Sequence, residues 1–221
     1  NMDSPPFIVT SGQATCEVAD VFRLYGEAYR QSHPVSYEQQ KVIAALIHCR
    51  TATLGGHVDE CDQCGVLRIS YNSCRNRHCP KCGALSKARW LEARQRDLLP
   101  IAYFHVVFTI AHTLNALARC NPTRIYDLLF ASAAQSLKAF GARYLDGEIG
   151  VVAVLHTWGQ DLGQHIHLHC IVSGGGLSFD TQHWQACPTG FLFPVLPLSA
   201  AFRDTFCAGL ARLHQHQQLV F

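Results

Sequence analysis

The chain has 221 residues, of which 48% are hydrophobic and 15% charged, a balance typical of a globular protein with one large domain or two smaller ones. No apolar run approaches the roughly 18 residues of a membrane span, and the first residues lack the basic and apolar stretches of a secretory signal. These features argue against a membrane or exported protein and predict a soluble cytoplasmic protein.

Charge is distributed unevenly along the chain. The net charge is only +2, but residues 61–96 carry eight basic and two acidic side chains, so this window has +6 and the remainder −4. A concentrated positive charge favours a polyanion, because phosphate binding by lysine and arginine releases condensed counterions. A solvated helix face would have the same composition.

Two helices are predicted before the cysteine-rich part of the chain. Apolar residues recur at helical spacing over residues 16–31, behind a polar lead, so residues 1–35 form the first segment. Ser36 and Gln39 have the spacing of a capping box, which predicts a second helix that runs past Cys49 and ends at Gly55-Gly56.

The cysteines predict a structural zinc site. Of the 11 cysteines, five fall within residues 61–82, and without an export signal such clustering indicates metal rather than disulfides. Two C-x-x-C knuckles with 14 residues between them predict one four-thiolate zinc site, against the alternative of buried free thiols; its ligands would be Cys61, Cys64, Cys79 and Cys82.

A second zinc ion is also considered. If ligand pairs alternate between two metals, the second set is Cys49, His57, Cys74 and His78. Asp59 could replace His57, and His48 could enter the set. Metal would supply folding free energy to a module of this size.

The zinc-binding module is predicted over residues 36–99, and its last helix is basic. The loop between the knuckles presents two arginines, and the helix over residues 85–99 carries further cations. A metal-fixed loop would offer guanidinium groups to phosphate at little ordering cost, although the arginines could also be solubilising residues. The predicted DNA-binding residues are Arg75, Arg77, Lys81, Lys87, Arg89, Arg94 and Arg96.

The remainder, residues 100–221, predicts an antiparallel sheet with helices. Strands are expected at 102–110, 149–158 and 164–173, and helices at 122–145 and 198–216. This order is most of a ferredoxin-like palm, so the chain is predicted to be an α+β protein. Gly174-Gly175-Gly176 is expected to form a strand-ending loop or to let a DNA backbone approach. Residues 219–221 are expected to start another strand of a palm that is incomplete at its C-terminus.

Three histidines alternate along the third predicted strand. His165, His167 and His169 should share one face, while Ile166, Leu168 and Ile171 are expected on the other. A lone histidine would more often be a satisfied core residue, but three at this spacing favour a divalent metal ion.

Here the sequence resembles a known family. His167-Leu168-His169 matches the His-hydrophobic-His signature of HUH endonucleases. Residues 36–221 resemble the insertion-sequence-ninety-one family of transposases. The resemblance is carried by residues 71–82 (YNSCRNRHCPKC), 103–109 (YFHVVFT), 158–160 (WGQ), 165–170 (HIHLHC) and 174–176 (GGG).

The resemblance implies a rolling-circle transposase that nicks and joins single-stranded DNA or hairpin transposon ends. His167 and His169 would bind Mg²⁺ or Mn²⁺, with His165, Gln164, His156 or Gln160 as a third ligand. A tyrosine would attack the phosphorus and leave a 5′-phosphotyrosine and a 3′-hydroxyl. It is expected beyond residue 221, because none of the chain's seven tyrosines occupies the matching place.

Two other functions would use the same residues. A metallo-β-lactamase-like hydrolase would require an aspartate soon after the H-x-H pair, and Cys170-Ile171-Val172 offers none. A nucleic-acid-binding module without catalysis would use the zinc knuckles and the basic helix alone. The zinc module could contact DNA or form a homo-oligomer.

Overall fold

The computed structural model describes residues 16–160, 163–180, 183–190 and 192–221. The chain folds into two compact units, and the boundary between them lies between Leu98 and Leu99. Helices and antiparallel strands occur in both, which confirms the predicted α+β class. Among the helices in the described ranges, none combines the length and the apolar character needed to cross a bilayer.

The first unit begins with two packed helices, α1 (Val18–Ser32) and α2 (Tyr37–His48). The predicted capping box is present, since Gln39 N donates to Ser36 Oγ at 3.2 Å and Ser36 N donates to Gln39 Oε1 at 2.8 Å. Helix α2 ends at His48, earlier than predicted. The helix cannot continue because Cys49 is extended and Arg50 takes a left-handed backbone with φ 58°.

A hairpin and a third helix complete the first unit. Strands β1 (Gly56–Glu60) and β2 (Leu67–Tyr71) pair antiparallel, and α3 (Pro80–Arg96) follows with its proline in the first turn. The buried core of this unit is small and centres on Leu46, Cys49 and Cys79. A core built partly of thiols is expected where metal contributes to folding.

The second unit is a sheet covered on one face by helices. Its central strands lie in the order β3, β5, β4, and β6 pairs with the far end of β5; all pairs are antiparallel. The predicted succession of strand, helix, strand, strand and helix is confirmed. The elements are β3 (Tyr103–Thr109), α4 (Asn115–Cys120), α5 (Pro122–Leu145), β4 (Gly147–Trp158), β5 (Gln164–Ser178), β6 (Trp184–Ala186) and α6 (Val195–Gln215).

Strand β5 is buried on one face and open on the other. Ile166, Leu168 and Val172 are at most 1% exposed and belong to the core that includes α5 and α6. Ile171 was predicted on this face but is 46% exposed. Its odd-numbered position places it with His165, His167 and His169, because strand side chains alternate.

The three consecutive glycines were predicted to form a loop, but the structure places them inside β5. Gly175 pairs with Ala186 and Gly176 with Gln185. A Cβ on Gly175 would lie 2.5 Å from Gln185 O, and one on Gly174 would lie 2.8 Å from Ala102 O. Neighbouring backbone therefore occupies the space that a side chain at either position would need.

The C-terminal residues do not form the predicted strand in the described part of the chain. Instead, the side-chain amide of the buried Asn121 forms two hydrogen bonds with the backbone of Val220. Asn121 Nδ2 donates to Val220 O at 2.8 Å, and Val220 N donates to Asn121 Oδ1 at 2.8 Å. A side chain thus supplies the pairing that a neighbouring strand would have supplied.

Candidate metal centres

Four cysteines of the first unit come together at one point. Cys49 caps the end of α2, Cys74 lies in the loop after β2, Cys79 precedes α3, and Cys82 is in its first turn. Their sulfur atoms all lie within 4.8 Å of one another. We call these residues the four-cysteine cluster.

The spacing of the sulfurs fits zinc. The Sγ of Cys82 lies 3.5 Å from that of Cys49 and 3.6 Å from that of Cys74. Tetrahedral zinc–sulfur bonds of about 2.3 Å would place sulfurs roughly 3.8 Å apart. Cys74 N also donates to Cys49 Sγ at 3.5 Å, a bond that favours a thiolate. The cluster therefore has the ligand set, the size and the hydrogen bonding of a structural zinc site.

The thiols of the cluster differ in acidity. Burial raises the pKa of Cys74 to about 12 and also raises the pKa of Cys49. Burial opposes ionisation of Cys82 as well, but hydrogen bonds from Cys49 and Cys74 outweigh it and lower its pKa to about 7. Cys82 is therefore the most readily ionised of these three.

The predicted grouping of Cys61 and Cys64 with Cys79 and Cys82 is corrected by this arrangement. Both residues are exposed at the tip of the β1–β2 hairpin and are not part of the cluster. Backbone hydrogen bonds from Gln63 and Cys64 lower the pKa of Cys61 and so favour its thiolate form. The spacing of the two C-x-x-C pairs did not establish which cysteines come together in the fold.

The second predicted zinc set is also not brought together. Cys49 and Cys74 belong to the four-cysteine cluster, whereas His57 Nε2 lies 3.6 Å from Asp59 and His78 Nε2 accepts from Arg77 Nε at 3.3 Å. In the described residues, neither histidine joins a group of three or more metal ligands.

Three histidines form a second cluster on the open face of the palm sheet. His167 and His169 lie on β5, and His156 lies on β4 directly opposite His167. One nitrogen of each ring lies within 4.8 Å of the other two. We call these residues the three-histidine cluster.

Hydrogen bonds orient two of these rings. His167 Nδ1 lies 2.9 Å from the carbonyl oxygen of His165, and His169 Nδ1 lies 2.7 Å from His105 Nε2. Both contacts engage Nδ1 and leave Nε2 for a metal ion, the arrangement common for metal-bound histidine. Burial, followed by the charges of His156 and His167, lowers the pKa of His169 and favours its neutral, metal-binding form.

His156, one of the four candidates for a third ligand, provides the third imidazole, whereas His165, another candidate, lies outside the cluster. The ring of His165 lies between those of His112 and His167, with centroid distances of 5.0 Å and 4.9 Å. Gln164, another candidate, accepts a hydrogen bond from Arg119 Nη1 at 2.7 Å. His105 was missed as a site residue, although its alternation with Val107 and Thr109 along the predicted strand could have placed it on this face.

Several of the predicted DNA-binding cations are already paired with acids. Lys81 Nζ lies 2.6 Å from Glu17, Arg94 pairs with Asp97 at 3.0 Å, and Arg96 pairs with Glu92 at 2.5 Å. Lys87 and Arg89 are exposed on α3, and Arg75 and Arg77 are exposed in the loop before it. The helix surface is thus less positive than its count of basic residues indicates.

Comparisons with known proteins find matches along most of the chain. Residues 21–110 match the transposase zinc-binding domain, and residues 150–220 match a family described as putative transposase. The chain is 51% identical to "Putative transposase y4qJ" of Sinorhizobium fredii over 93% of its length and 52% of that protein's. It is 31% identical to the transposase of insertion sequence element IS801 from Pseudomonas savastanoi pv. phaseolicola over 62% of the chain and 33% of the relative.

The four-cysteine cluster lies within the region that matches the transposase zinc-binding domain, and the three-histidine cluster lies within the region that matches the putative transposase family. By its zinc-binding domain and these relatives, the chain is similar to transposases of the insertion-sequence-ninety-one family, and it spans about half the length of the first relative. Among solved structures, the conjugative relaxase TrwC in complex with oriT DNA aligns with 49% of this chain and 43% of its own. The TM-score is 0.41 and the sequence identity 14%.

Proposed function

We propose that this chain is the zinc-binding and catalytic-metal-binding part of a rolling-circle transposase, which nicks and joins single-stranded DNA at transposon ends. The observation that supports this most strongly is the three-histidine cluster on an open sheet face. His167 and His169 form the His-hydrophobic-His signature on β5, and His156 completes a set of three imidazoles.

The arrangement suits a divalent ion that also contacts DNA. The cluster faces away from α5 and α6, which cover the opposite face of the sheet, so a phosphate can approach. A bound Mg²⁺ or Mn²⁺ would neutralise charge that develops on the scissile phosphate. Hydrogen-bond contacts at Nδ1 fix the ring orientations of His167 and His169.

We place the nucleophilic tyrosine outside these 221 residues. Tyr126 and Tyr144 lie on α5, on the sheet face opposite the three-histidine cluster. Tyr103 lies on β3, but its hydroxyl accepts a hydrogen bond from Leu99 N at 2.9 Å. The relatives are longer than this chain, so their remaining length has room for such a residue.

The test uses the complete transposase polypeptide with a labelled single-stranded transposon end. We expect Mn²⁺-dependent nicking and a covalent protein–DNA adduct, both lost in His167→Ala and His169→Ala, with DNA affinity retained. His216→Ala, which changes an exposed histidine of the same unit, is the matched control. Nicking that persists in both cluster variants would instead favour a DNA-binding module without this catalytic centre.

A shorter experiment tests the position of the nucleophile. The 221-residue chain should bind Mn²⁺ and single-stranded DNA without forming a covalent adduct. An adduct resistant to denaturation, mapped by mass spectrometry to a tyrosine of this chain, would contradict that part of the proposal.

A further inference from the structure

A cleft of about 790 Å³ in the first unit is lined by cationic side chains, and none of the four clustered cysteines lines it. It opens beside the β1–β2 hairpin, where strand β2 and the loop after it form one wall. Its principal polar residues are Arg50, His57, Arg68, Ser70, Ser73 and Arg75. We call it the three-arginine cleft.

The three arginines differ from most other cations of this unit because they have no acidic partner. Across the described residues of the unit, no carboxylate lies within ion-pair distance of Arg50, Arg68 or Arg75, whereas Arg23 and Arg30 are paired. Asp59 stands opposite Arg68 in the hairpin register, but its carboxylate is 3.6 Å from His57 Nε2. Three guanidinium groups around one cleft therefore remain available for an external anion.

The backbone holds two of these arginines in an uncommon conformation. Arg50 and Arg75 have φ angles of 58° and 52°, in the left-handed region that non-glycine residues adopt rarely. Such conformations cost free energy and persist where the surrounding structure fixes them, often at functional sites. Arg50 N also donates to Asn72 O at 3.0 Å, which ties the end of α2 to the loop after β2.

The sequence positions of Arg50 and Arg75 explain what fixes their backbone conformation. Arg50 directly follows Cys49, and Arg75 directly follows Cys74. Both cysteines belong to the four-cysteine cluster, so zinc that holds the sulfurs also holds the backbone from which each arginine projects. A preorganised pair of guanidinium groups binds an anion with a smaller loss of conformational entropy.

We propose that the three-arginine cleft binds the phosphodiester backbone of transposon DNA, independently of base sequence. The choice of DNA as the ligand rests on the proposed function. Guanidinium groups match phosphate oxygens with paired N–H donors, and the serine hydroxyls of the cleft add neutral donors. The zinc module thus contributes backbone affinity through this cleft, beyond the basic residues of α3.

The test measures DNA affinity of the zinc-loaded chain by fluorescence anisotropy from low to moderate salt. The variants are Arg50→Asn and Arg75→Asn, because asparagine tolerates a left-handed backbone, and Arg68→Gln on the ordinary backbone of β2. Each should weaken binding about tenfold and reduce the slope of log affinity against log salt by about 0.7 to 0.9. Arg30→Ala is the control, since it removes the same charge from a guanidinium already paired with Glu27.

The outcomes separate this proposal from the proposed function. If the salt slope is unchanged in all three variants and their zinc content is intact, the proposal that the cleft binds DNA is overturned, even if nicking still requires His167. If the variants reduce the slope but the protein never nicks DNA, the result supports DNA binding by the cleft and not the proposed nicking activity. Arg68→Gln remains decisive if an asparagine variant loses zinc. Competition by inorganic phosphate as strong as that by an oligonucleotide of equal phosphate concentration would show a simple anion site and overturn binding of a DNA backbone.

Discussion

The imidazole rings of His105 on β3 and His169 on β5 lie nearly parallel and edge to edge, with ring centroids 4.9 Å apart and planes 5° from parallel. His105 Nε2 lies 2.7 Å from His169 Nδ1. If Nε2 of His169 binds a metal ion, Nδ1 carries the proton and donates it to His105. His105 therefore orients a ligand without being one of the three clustered residues.

We predict that His105→Ala weakens Mn²⁺ binding by about 10 to 100-fold, the range for loss of a partner that orients a metal ligand. His105→Gln should restore part of the affinity, because its amide oxygen can accept the same hydrogen bond. Isothermal titration with Mn²⁺ measures both values. His112→Ala, which alters the ring next to His165, is the control and should bind normally. Equal affinities of His105→Ala and the unaltered chain would refute the positioning role.

The cysteine variants distinguish the observed cluster from the pairing of the two knuckles. Cys49→Ser and Cys74→Ser should release zinc and unfold the first unit, because structural zinc contributes roughly 10 kcal/mol or more to folding in small modules. Cys61→Ser should retain the zinc of the cluster, since its sulfur is exposed at the hairpin tip. Native mass spectrometry counts the metal, and thermal unfolding reports stability. Loss of all zinc from Cys61→Ser would show that the knuckles pair as the sequence predicted.

Much of the palm could be predicted from the sequence because its signals are local. The helix Pro122–Leu145 starts at a proline and was predicted with the same bounds, and the alternation along residues 165–169 identified the open face of β5. The glycines at 174–176 were misassigned because a glycine run predicts a turn. Their burial depends on how closely β6 approaches them, which is a tertiary contact.

The two clusters were predicted less well, because each depends on contacts between distant segments. The sequence grouped Cys49 with His57 and His78, whereas the structure brings it together with Cys74, Cys79 and Cys82. This placement depends on where α2 ends, and the left-handed backbone of Arg50 fixes that end. His156 was one of several possible third ligands, and counting from the hairpin would not have selected it. Trp158 pairs with Gln164 while His156 pairs with His167, so an irregularity between these pairs changes the register by one residue.

Zinc uptake should release protons, and zinc affinity should rise with pH. In the metal-free cluster, the raised pKa values of Cys49 and Cys74 keep these thiols protonated at pH 7, whereas Cys82, with a pKa of about 7, is about half ionised. Zinc binds thiolates, so at least two protons should leave per zinc ion at pH 7. Calorimetric titrations in buffers of different ionisation enthalpy measure this number. Release of less than one proton would mean that these thiols are already ionised or do not bind zinc.

Glycine at position 175 is required by the close approach of β6. An alanine Cβ would lie 2.5 Å from Gln185 O and 2.7 Å from two ring carbons of Trp184, so either β6 or the centre of the sheet must move. We predict that Gly175→Ala destabilises the second unit by about 1–3 kcal/mol, as overpacking commonly does, and lowers its melting temperature by several degrees.

Gly150→Ala is the matched control on β4, where the nearest atom is Ser173 Oγ at 3.7 Å. That change should leave the melting temperature equal or slightly higher, because alanine loses less backbone entropy on folding than glycine. Equal melting temperatures for the two variants would mean that β6 does not pack against β5 in solution.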